Sequence, residues 1–229
     1  IINSLREIID DAVLPVDEMR DKGKQDYGTR INIGHIDFEK LKEEFAKSER
    51  KNTAVHSLKE MVEMKLQQMI ELNPTRIDYY QRYQDIIEEY NKEKDQVTIE
   101  RTFQQLLEFM DDLSEEETRA IEEDLNEEYL AVFDLIKKPK LNKSDYKRVK
   151  EISRELLDAL KESKLSIEKW REKPASQSDV KIFIYDFLYE NLPESSYTDD
   201  DVEMKTGTLF NHIYEKYPSS SQNIYVGIN

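Results

Sequence analysis

The chain contains no cysteine. Disulfides and thiolate metal sites are therefore excluded, and the lack fits the expectation of a cytoplasmic protein. Glycine and proline are scarce, at five and six residues. So few tight turns argue against an all-β fold. No apolar run approaches the roughly 20 residues needed to cross a bilayer, and no signal peptide is visible. Positive charge is in the minority. Lys and Arg number 34 against 50 Asp and Glu, for a net charge of −16. A uniformly acidic body repels DNA phosphates and gains little from counterion release. By charge, this chain is not the main DNA grip of anything. A basic protein partner is easier to accommodate, and the plainer alternative is that the charge serves solubility.

What is present suits amphipathic helices, since charged residues make up 37% of the 229. That length holds one large domain or two small ones. The sequence begins at Ile1 rather than Met and ends in YVGIN, as expected of a piece of a longer polypeptide. Three parts are expected. Residues 1–36 read as a connecting segment. There Leu5, Ile8, Ile9 and Val13 share a helical face, Pro15 breaks it, and Gly23, Gly28 and Gly34 mark a loop. Ile31 and Ile33 alternate with polar neighbours, the pattern of a brief strand.

Residues 37–173 read as a helical bundle. Asp37 is the expected cap of a first helix bearing Phe38, Leu41 and Phe45. Val55, Leu58, Val62, Leu66 and Met69 then line a helix over 53–72. Pro74 stops it, and Thr75 with Asp78 is expected to cap a tyrosine-rich helix. Its stripe is Ile77, Tyr80, Tyr83, Ile87 and Tyr90, and Asp78 is four residues before Arg82, the favourable order for an ion pair. Thr98 is expected to cap the next helix and Ser114–Glu117 to open another. Asn126 and Asn142 or Ser144 are the caps expected beyond. Short connections between helices imply antiparallel or sharply angled neighbours. Pro174 with Ala-Ser-Gln-Ser marks the second boundary. Residues 174–229 are then a smaller C-terminal helical subdomain of two helices, one over 179–192 and one capped by Thr198. The fold class is all-α: a compact multi-helix bundle with that smaller subdomain.

Chemical signatures are sparse. No phosphate-binding loop and no Rossmann fingerprint occurs. The histidines are His35, His56 and His212, and none has the spacing of HExxH or of the Glu-x-x-His di-iron motif. His56 and Glu60 lie four apart, which reads more simply as a surface pair than as a metal site. One basic stretch interrupts the acidic field: Lys137, Lys138, Lys140, Lys143, Lys147, Arg148 and Lys150. It is a candidate contact for DNA phosphates or an acidic partner, weighed against a solvated helix start. Basic charge at a helix N-terminus opposes the dipole, which favours the functional reading. Asp199, Asp200 and Asp201 at a helix start complement the dipole and need no cation.

Three segments carry a resemblance. They are NPTRIDYYQRYQDIIEEYN from Asn73 to Asn91, EEYLAVFDLIKKP from Glu127 with the KLNKSDYKRVKEISRELLDALK that follows, and KIFIYDFLYENLPESSYTDDDVEMKTGTLFNHIYEKY near the end. Their order and spacing are similar to the C-terminal region of the R subunit of type I restriction–modification enzymes. Together they cover most of residues 37–217. The resemblance implies a parent chain that is an ATP-driven DNA translocase and endonuclease, a type I site-specific deoxyribonuclease needing ATP and Mg. Its nuclease and motor domains precede this region. The resemblance also implies partners, the methyltransferase and specificity subunits, with DNA reached through the whole complex. The family's phosphate-binding loop, Asp-Glu box and nuclease carboxylates have no counterpart here. The short Glu-x-Lys matches Glu63-Met64-Lys65 and Glu203-Met204-Lys205 fall within helical periodicity and are rejected. No catalytic residue, cofactor or metal is therefore assigned to this region. Its expected role is assembly, with Phe183, Phe187, Phe210 and Tyr214 as the candidate docking residues. An acidic DNA mimic or other protein-interaction module is the alternative.

Overall fold

The computed structural model describes residues 36–93 and 95–227, together with the backbone of 13–14 and 30–31. Apart from one two-stranded pair, the regular structure described is all helical. β1 (Val13–Leu14) pairs antiparallel with β2 (Arg30–Ile31), Val13 opposite Ile31. The strand expected at Ile31 is therefore present, whereas Val13, expected on a helical face, is extended. Leu5, Ile8, Ile9, Pro15, Ile33 and the three loop glycines lie outside the described residues. The chain divides into two compact units, Ile1–Arg119 and Ala120–Asn229. This division falls within residues 37–173, the span expected as one bundle.

In the first unit α1 (Phe38–Lys47) is capped by Asp37, whose side chain accepts from the Lys40 amide. α2 (Lys51–Leu72) buries Val55, Leu58, Val62, Leu66 and Met69, the row its periodicity defines. A 3-10 turn at Pro74–Arg76 follows, and its cap is Asn73, whose side chain accepts from the Thr75 amide. Thr75 therefore caps nothing, because proline in the first turn already starts the helix and needs no amide partner. α3 (Ile77–Lys92) buries Tyr83 and Ile87, but Ile77 is exposed. Arg82 pairs with Asp112 rather than with Asp78.

α4 (Gln96–Glu122) runs straight through Ser114, so no helix starts there. Its entry is held by Asp95, which accepts from the Thr98 amide. The apolar row Phe103, Leu106, Met110, Leu113 and Ala120 stays in phase across the expected cap, and burial of that row outweighs the weak helix propensity of one serine. Phe45 stacks on Phe103, centroids 3.6 Å apart, tying α1 to α4. Each fully buried Leu or Phe of such a core contributes about 1.5–3 kcal/mol.

In the second unit α5 (Glu127–Ile136) is capped by Asn126 and buried nearly all round, as a central helix is. α6 (Lys143–Ser163) is capped by Asn142 and packs on α5 with Val149, Ile152, Leu156 and Leu160 inward. A 3-10 turn at Trp170–Glu172 leads to α7 (Pro174–Asn191). Pro174 is the first residue of that helix, where its fixed φ suits the opening turn, so the helix starts five residues earlier than 179. α8 (Asp199–Lys216) carries the full Thr198/Asp201 capping box. It packs on both α5 and α7. Trp170 is completely buried, and its indole N–H donates to the Tyr217 carbonyl at 2.9 Å.

Candidate interaction surface

The basic stretch begins at the C-terminal end of α5 and enters α6. Most of its charge is consumed within the chain. Lys137 reaches Asp134 at 2.6 Å, and Lys138 reaches Asp201 at 2.7 Å and the Ser196 carbonyl at 3.0 Å. Arg148 lies 3.3 Å from Glu155 and donates to Asn191 at 3.0 Å, while Lys150 pairs with Glu123. Lys147 makes a loose contact with Glu151 at 4.0 Å. Lys140 and Lys143 are exposed, with no ion pair to a described residue. Five of the seven cations thus have an acidic partner inside the chain, which leaves a weak positive field for phosphates.

Two acids, the buried Asp145 and the half-buried Asp201, hold the same region together. Asp145 accepts from the Asn142 side-chain amide at 2.9 Å and from the hydroxyls of Ser195 and Ser196. Lys138 and the Thr198 amide hold the Asp201 carboxyl down at about 2. Lys205, one of the rejected Glu-x-Lys lysines, donates to the carbonyls of Leu135 and Lys137 at 2.8 and 3.2 Å. It closes the C-terminal end of α5, where a cation suits the dipole. The other, Lys65, is buried against Glu117. His56 and Glu60 are 3.4 Å apart and both exposed, a surface pair. Among the described residues no group of three or more His, Cys, Asp or Glu side chains is placed to hold a metal ion.

The four aromatic candidates fall into two contacts. Phe183 and Phe187 are half-buried along α7, centroids 6.2 Å apart, with Lys164 over the Phe183 ring. Phe210 is half-buried and touches Tyr214, whose ring meets Trp170 edge-on at 5.9 Å. Of the four only Tyr214 is exposed, at 38%. The outward face of α7 belongs to other residues: Ile182, Tyr185 and Tyr189, 58%, 37% and 55% exposed. Spacing by three and four puts them in one row, and the two tyrosine rings stack at 5.9 Å with planes 14° apart. The sequence carried that signal. It was masked because α7 is apolar on its inner side too, with Val180, Ile184 and Leu188 buried.

The described residues form an all-α region whose second-last helix, α7, shows an apolar row to solvent. The chain belongs to a known family: residues 1–216 match "Type I restriction enzyme HindI endonuclease subunit-like, C-terminal". That family is the C-terminal part of a type I restriction enzyme subunit, as the resemblance implied. Comparisons with curated proteins and with solved structures gave no match. Among the described residues no helix is long and apolar enough to cross a membrane.

Proposed function

We propose that this region is the non-catalytic assembly module of its subunit, docking an ATP-dependent DNA translocase and endonuclease onto a methyltransferase–specificity core. The observation that carries the reading is the family match over residues 1–216. The placement of charge supports it. Lys137, Lys138 and Lys150 are engaged in ion pairs of the second unit and Lys205 on the end of α5, so these cations are not left over to grip DNA phosphates. ATP and Mg belong to the parent chain in this account, and DNA is reached through the complex.

The test is co-purification of the chain with the purified methyltransferase–specificity complex, followed by an ATPase assay on the chain alone. The expected result is a stable complex and no ATP turnover by the isolated chain. No co-purification, with helicity intact by circular dichroism, contradicts the reading.

A further inference from the structure

We infer that the outward face of α7 is the docking surface and that its occupant is a basic amphipathic helix of a partner protein. The inference rests on the assembly role proposed above and gives it a surface and a chemistry. Single exposed apolar residues are ordinary on any protein. Here three lie in one row on one helix, Ile182, Tyr185 and Tyr189, spanning about two turns and roughly 10 Å. The stacked Tyr185 and Tyr189 rings are already ordered, so little side-chain freedom is lost when a partner covers them.

Beside that row runs a second one. Asp179, Asp186 and Glu190 are exposed, seven and four residues apart, and so share the flank of the apolar row. None makes an ion pair with a described residue. Some carboxylates of the same unit, Asp134, Asp201, Glu123 and Glu128, pair with lysines inside the chain. Lys181 is the only cation exposed between Asp179 and Glu190.

The chemistry selects the occupant. DNA is repelled by the three carboxylates, as is an anionic membrane surface. A second copy of this chain brings the same carboxylates and a net charge of −16 against its own kind. A helix with an apolar ridge and a Lys/Arg edge satisfies both rows. Its ridge packs on Ile182 and the tyrosines, its guanidinium groups stack on the tyrosine faces, and its charges meet the carboxylates.

The experiment uses the full subunit chain and the purified methyltransferase–specificity complex as probe. Binding is measured for wild type, for Tyr185→Ser/Tyr189→Ser, and for Asp186→Lys/Glu190→Lys. All four positions are exposed, and Trp170 emission checks that each variant keeps its fold. A photo-crosslinking side chain at Ile182 identifies the segment contacted. The expected result is about tenfold or greater weakening in each variant, with crosslinks to a Lys/Arg-rich helix of the complex. Wild-type affinity in both variants, or crosslinks to an acidic segment or to a second copy of this chain, overturns the inference and leaves the assembly role standing. Absence of binding by the wild-type chain overturns the assembly role itself, and the inference with it.

Discussion

Replacing Glu116 with glutamine removes a buried negative charge that faces a buried cation. The Glu116 side chain is 8% exposed, and one of its oxygens lies 2.8 Å from Arg76 Nε, whose side chain is 3% exposed. The same carboxylate accepts two bonds from Arg119, each 2.9 Å long, and Arg119 reaches water at 22% exposure. Losing the carboxylate takes away the negative charge that Glu116 sets against Arg76, while Arg119 turns to solvent. Breaking a buried pair from one side costs about 3–5 kcal/mol. Arg76→Met is milder, because Glu116 keeps Arg119. The charge-assisted hydrogen bond to Glu116 is then lost, at about 1.5–3 kcal/mol. Arg76→Met/Glu116→Leu removes both buried charges together and is expected within about 1 kcal/mol of wild type. Set against both single variants, Arg76→Met and Glu116→Leu, the cycle shows about 2 kcal/mol or more of non-additivity. Urea titration followed by circular dichroism at 222 nm reads the midpoints, with slopes checked for equality. Glu116→Gln within 1 kcal/mol of wild type, or additive single changes, refutes the reasoning.

Acid destabilises the second unit in two stages. Burial, with Lys216 adding a like charge, pushes His212 down from the ordinary 6.5 to about 4. Its neutral ring meets the Tyr225 hydroxyl at 3.0 Å. The unfolded chain therefore binds a proton that the folded chain refuses. Stability is fully present above pH 6.5 and falls as pH drops to about 4, by roughly 3 kcal/mol. Denaturation curves across that range check it, and His212→Gln flattens the slope. Asp201, held at about 2, extends the loss as pH falls from 3.8 through that value. Lys205→Met leaves two carbonyls at the end of α5 without their donor and costs about 1–3 kcal/mol, read from the urea midpoint. Gly207→Ala gains about 0.5–1 kcal/mol, because a Cβ there meets nothing within 4 Å and alanine is the better helix former. A raised thermal midpoint is the expected sign.

Local signals in the sequence read well and long-range ones did not. Asp37, Asn126, Asn142 and Thr198 cap the helices assigned to them, since a cap depends only on residues three positions away. The same logic failed at Ser114–Glu117, a cap pattern lying in mid-helix. Those acids are occupied by cations distant in sequence, Arg76 on Glu116 and Lys65 on Glu117, which local reading does not see. Arg82 likewise left its nearby Asp78 for Asp112, thirty residues on. Pro174 opens α7 rather than marking a break, because a proline starts one helix as readily as it stops another. The basic stretch reads as available for phosphate only until the fold brings Asp201 and Glu123 to it from distant positions, beside the local Asp134. On α7 helical spacing gives the buried row Val180, Ile184 and Leu188, yet the exposed apolar row is told from it only by knowing which of two apolar sides meets the core.

The central claim is attachment to the methyltransferase–specificity core, and isothermal titration of the chain into that purified complex tests it most directly. Saturable heat at a fixed stoichiometry, with a negative heat-capacity change as apolar surface is covered, is the predicted result. Titrations that show only heats of dilution, from a chain whose helical signal is intact, contradict it.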